Sequence, residues 1–66
     1  MHKYELELNA ELYTEEAVKA AADILKETCR TDIIKGQGQF RIVMNSEEDI
    51  EELDKEFANI CLMQMF

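Results

Sequence analysis

Polar and apolar residues alternate over positions 3–8, with Tyr4, Leu6 and Leu8 on one side and Lys3, Glu5 and Glu7 on the other. A period of two belongs to a strand with one buried face, so the spacing predicts a first strand here, which residues 9–13 either extend or leave. The period then changes. Val18, Ala21, Ala22, Leu25 and Cys29 recur at helical spacing, with Ala17 and Ile24 at the edges of the stripe, and predict a helix running to about Cys29. Thr14 is its expected N-cap, because its hydroxyl can accept from a free backbone N–H while Glu15 and Glu16 sit at the positive end of the helix dipole. Small residues in the stripe let this helix lie close to what it covers, and a larger residue at Ala21 or Ala22 is expected to overpack the contact. Glu15 with Lys19 and Glu27 with Arg30 form expected exposed pairs, each contributing about a few tenths of a kcal/mol.

Residues 31–35 and 39–44 read as two strands joined by Gly36-Gln37-Gly38, whose glycines can take the positive φ of a tight hairpin. A phosphate cradle would need those glycines to lead into a helix, and they lead instead into the strand pattern of Phe40, Ile42 and Met44. Ser46-x-x-Asp49 has the form of a capping box and predicts a second helix opening at Ser46, with Glu47 and Glu48 in its first turn. Ile50, Leu53, Phe57, Ile60, Cys61 and Gln64 then share one side of that helix. Leu62, Met63 and Phe66 fall opposite, so the final turn is apolar all round.

Strand, helix, strand, strand, helix implies an α+β fold, a two-layer βαββα sandwich. Its three-stranded sheet has the expected order 1-3-2 with both helices on one face, like a ferredoxin-type fold without its final strand. The first strand then becomes an edge to which a partner's strand can add, and Glu5 and Glu7 guard it against indiscriminate pairing.

Composition narrows the function classes. A chain of 66 residues makes one domain, burying only about 60% of its unfolded surface, so association with a partner would help to stabilise it. Hydrophobic residues at 47% with two glycines and no proline argue for a folded chain and against a linker. Fifteen acids against seven bases leave a net charge of -8, which argues against nucleic acid and anionic membranes as partners. No signal-type segment stands at the start and no apolar run reaches the roughly 18 residues of a spanning helix, which sets a cytoplasmic expectation. Cys29 and Cys61 form neither a CxxC pair nor a disulfide framework and read as reduced core residues.

Little in the chain suggests chemistry. Residues 47–56 carry seven carboxylates, which raises the alternative of a divalent-cation (Ca2+) protein. The run lacks the alternating oxygens and central glycine of a calcium loop, and reads more simply as a solvated face that can steer a basic partner. His2, the one histidine, stands beside the N-terminus, and no nucleophile sits in a recognisable motif, so no enzyme activity and no cofactor are expected. The acidic run gives way to residues 57–66 (FANICLMQMF), nearly all apolar. This segment exceeds what one buried face needs, and Met63 and Met65 have the flexible, polarizable side chains of adaptable binding surfaces. The expectation is therefore an interaction module, acting in a homodimer or with another protein through Tyr13, Phe57, Leu62, Met63, Met65 and Phe66.

Two stretches carry a family resemblance. Leu12-Tyr13-Thr14-x-Glu16-Ala17-Val18-x-x-Ala21 resembles the helix start of the D-type proteins of the His-Xaa-Ser system (HxsD-like), and Glu56-Phe57-x-Asn59-x-x-Leu62 resembles their C-terminal segment. The resemblance implies a non-catalytic accessory protein, encoded in that family beside radical SAM proteins that modify a peptide. This chain departs from the pattern in its alanine-rich first helix, at Ala20, Ala21 and Ala22, and in its apolar finish.

Overall fold

A computed structural model describes residues 1–66, with elements in the order β1 (His2–Asn9), α1 (Glu15–Ile24), β2 (Arg30–Lys35), β3 (Gln39–Ser46) and α2 (Leu53–Gln64). The expected α+β, βαββα architecture is present, with β3 in the middle of a sheet ordered β1-β3-β2 and antiparallel to both neighbours. Register sets Tyr4, Leu6 and Leu8 beside Met44, Ile42 and Phe40, while Thr31, Ile33 and Lys35 flank the same three residues from β2. That row faces the helices. Ile42 and Met44 are fully buried because strands cover them on both sides, whereas Tyr4, Leu6 and Ile33 on the edge strands stay half-buried. Val18, Ala21 and Leu25 join Leu53, Phe57 and Cys61 in one core over the sheet. Both cysteines are free and buried in it.

The Gly36-Gln37-Gly38 turn is a hairpin, as its glycines predict. Only Gly38 uses the left-handed region, at φ 73°. The Gly36 N–H donates to the Gln39 carbonyl at 2.9 Å, and the Gly38 carbonyl accepts from Ala10 at 3.0 Å, which ties the exit of β1 to the hairpin.

Two boundaries differ from expectation. Thr14 caps α1 through an acceptor bond from the Ala17 N–H at 3.1 Å, but the helix ends at Ile24, well short of Cys29. Its backbone bonds tighten there, with Lys26 donating to Asp23 and Thr28 to Leu25, because the next residues must turn down to pair Arg30 with Asn45. Cys29 keeps its buried place from this turn, its N–H still bonded to the Leu25 carbonyl at 2.9 Å. The expected Glu27–Arg30 pair does not form, and Lys26 reaches Asp23 at 3.4 Å instead.

The second helix opens at Leu53, so Ser46 is no helix cap. Ser46 ends β3 opposite His2, buried, where its hydroxyl accepts from the Glu48 N–H at 3.2 Å and donates to the Thr28 carbonyl at 3.5 Å. A sheet partner and a two-residue side-chain turn outcompete the capping box. The Tyr4 hydroxyl then holds the following loop, accepting from the Ile50 N–H at 2.7 Å and donating to Asp49 at 3.2 Å. Glu52 enters α2 through a left-handed conformation, φ 57°, without a side-chain cap.

Glu15 braces the other end of the layers. Its carboxylate bonds Lys35 of β2 at 2.6 Å and Lys19 at 2.9 Å, and these two ammonium groups, Lys35 first, lower its pKa from 4.5 to about 2. A carboxylate acidified by folding adds stability that is complete above the unfolded pKa and is lost as pH falls toward the folded one. Thermal denaturation of Glu15→Gln should therefore show a smaller fall in Tm than the parent between about pH 5 and about pH 2. Equal falls in the two proteins would contradict this role.

Candidate interaction surface

The loop held by Tyr4 starts α2 beside the first half of β1, and the helix runs across β1 toward its Leu8 end. α1 begins at that same end, just after the turn that leaves β1. α1 thus starts, and α2 ends, toward one pole of the domain, its Leu8 end, because the chain leaves β1 there for α1 but leaves β3 for α2 at the opposite end, where Ser46 pairs with His2.

This arrangement sorts the residues that the sequence singles out. Phe57 is fully buried and belongs to the core, so it is corrected from contact residue to structural residue: its position in line with Leu53 and Cys61 puts it under the helix. Tyr13 and Met65 are half-buried. Leu62, Met63 and Phe66 are exposed, at 38, 70 and 100%. Leu12, 69% exposed in the turn before α1, lies at the same pole and was not singled out by sequence. Its signal in the sequence is an apolar residue beside Tyr13 in the connection of residues 9–14, at the start of the first family-like motif. The pole therefore presents Leu12, Leu62, Met63 and Phe66 to solvent with Tyr13 and Met65 partly beneath. Scattered apolar residues are ordinary on a surface, whereas several at one pole of a small domain are a contact surface in form.

Other candidate sites lack convergence. The seven carboxylates of residues 47–56 divide between the loop after β3 and the first turn of α2, and no three His, Cys, Asp or Glu side chains gather as metal ligands would. A shallow groove of about 790 Å³ lies between the turn after α1 and the end of β3, with Lys26, Arg30, Asp32 and Glu47 of mixed charge on its walls. Cys29 at its floor is buried, its thiol 3.7 Å from the Thr31 hydroxyl, and no histidine lines the groove. Burial pushes the Cys61 thiol up to about 11, which keeps it protonated and unreactive at neutral pH. No helix is long and apolar enough to cross a membrane.

Comparison of the chain with protein-family models, with curated proteins and with solved structures finds no match.

Proposed function

We propose that this chain is a small non-catalytic interaction module that associates with protein through the pole formed by the end of α2 and the start of α1. The observation that carries the reading is the exposure of Leu62 and Met63 on the faces of α2 turned away from a core that Leu53, Phe57 and Cys61 already complete, and of Phe66 just beyond the helix. Covering such side chains releases ordered water at roughly 25 cal/mol per Å² of apolar surface, and a partner provides the cover. A net charge of -8 supports a protein partner over nucleic acid. A cytoplasmic setting belongs to the same proposal, supported by two unpaired thiols.

The likeness to HxsD-type proteins gives the reading a finer form, an accessory subunit that works beside a radical SAM peptide-modifying protein. What supports it is the pair of motifs, Leu12-Tyr13-Thr14-x-Glu16-Ala17-Val18-x-x-Ala21 and Glu56-Phe57-x-Asn59-x-x-Leu62, of which Leu12 and Leu62 are exposed.

The Met63→Glu/Phe66→Glu double variant tests the proposal. Both side chains are exposed, so the fold should survive, while the solution mass by light scattering falls to that of the monomer or co-purification with the partner protein is lost. An unchanged mass together with unchanged co-purification would sink the reading.

A further inference from the structure

β1 forms one whole edge of the sheet, paired with β3 from His2 to Asn9 and with nothing on its other side. No loop or helix bonds the outward backbone groups of residues 3–8. The side chains beside this edge are unevenly covered. Leu6 and Tyr4 remain half-buried although Ile42 and Met44 next to them are fully buried, so their uncovered flanks face the empty side. α2 packs above β1 and roofs the same edge.

On the opposite face of the strand the acids Glu5 and Glu7 outnumber Lys3. Glu5 is engaged by Arg41 at 3.0 Å and by Lys3 at 3.6 Å, but Glu7, which stands opposite Arg41 in the register, has no ion pair. The edge therefore asks for alternation in its occupant, apolar residues beneath α2 and cationic residues on the open face. The other edge makes no such demand: β2 is shorter, its outward residues Arg30, Asp32 and Ile34 are mixed, and its Lys35 is already held by Glu15.

We propose that β1 receives an extended basic segment of a partner protein as an antiparallel fourth strand, with apolar residues beside Tyr4 and Leu6 and Lys or Arg residues opposite Glu5 and Glu7. Backbone bonds to the free edge supply the attachment, and the cross-strand charge pairs choose the sequence and its register. A second copy of β1 fits less well. Pairing centred on Leu6 sets Glu5 of each copy against Glu7 of the other, pairing centred on Glu5 sets the two Glu5 carboxylates against each other, and pairing centred on Tyr4 leaves Glu7 opposite only Met1, outside the strand. The proposal rests on the interaction-module reading in taking the partner to be a protein, but it uses a different surface from the apolar pole.

The probe is a short capped peptide alternating lysine and valine, titrated into the labelled full chain and followed by amide NMR shifts and hydrogen exchange. The expected result is shifts along β1 with slowed exchange at alternate amides. A glutamate-valine peptide should bind more weakly, and so should a lysine-valine peptide whose lysine backbone nitrogens are methylated, because the residues opposite Glu5 and Glu7 are the ones that bond the edge. Glu7→Lys, which breaks no ion pair, should weaken the lysine-valine peptide about fivefold. Met63→Glu/Phe66→Glu should leave this binding unchanged, which separates failure here from failure of the apolar pole. The proposal is overturned by the absence of shifts in β1, by shifts confined to residues 47–56, by equal binding of the methylated peptide, or by concentration-dependent β1 shifts without peptide.

Discussion

Phe57→Ala should lower the stability of the domain by about 3–5 kcal/mol, enough to leave much of the chain unfolded at room temperature. The ring is the largest fully buried side chain, and it lies in the same core as Ile42 and Met44 of the central strand. Its removal loses the transfer free energy of the ring and leaves a cavity that two short helices over three strands can only partly close. Folded domains hold about 0.05–0.15 kcal/mol per residue, so a chain of 66 residues has roughly 3–10 kcal/mol in total. Urea denaturation followed by circular dichroism measures the loss. Phe66→Ala is the matched control: the same side chain type, fully exposed, should change stability by about 0.5 kcal/mol or less. A small effect at Phe57, or a large one at Phe66, would contradict the division of the apolar segment into core and contact residues.

That division was legible only in part. Helical spacing already aligns Phe57 and Cys61 with Leu53 and sets Leu62, Met63 and Phe66 apart, because a period of 3.6 residues is a local property of the backbone. The strand order was legible for a similar reason: a short glycine hairpin forces β2 and β3 together, and a right-handed crossover then leaves β1 only the far side of β3. What the pattern misses is decided between distant residues. Ser46 carries every local mark of a helix cap, and it became a strand residue because His2 pairs with it and the Tyr4 hydroxyl holds Asp49 and Ile50 out of helical geometry. The acidic run thus lies mostly on a loop. Leu12 escapes the pattern for a similar reason, since the end of the sheet that it shares with the end of α2 is set by the order of strands and helices in three dimensions.

Ala21 and Ala22 show how tertiary packing separates neighbours that periodicity treats alike. Both fall in the apolar stripe of α1, but Ala21 is fully buried and Ala22 is only half-buried at the edge of the core. α1 packs against α2 over the sheet, and Ala21 is buried in the core that the two helices share. Ala21→Leu forces added atoms into a filled interior, where off-rotamer side chains or a lifted helix cost about 1–3 kcal/mol. Ala22→Leu can turn its side chain toward solvent and should cost less than about 1 kcal/mol, helped by the good helix propensity of leucine. Denaturation midpoints of the two variants check this directly. Equal losses would mean that α1 sits rotated from the orientation described, with Ala22 as deep as Ala21. A rotation of that kind would also withdraw the buried Ala17 from the core, so the same pair of measurements tests how α1 is set against the sheet and α2.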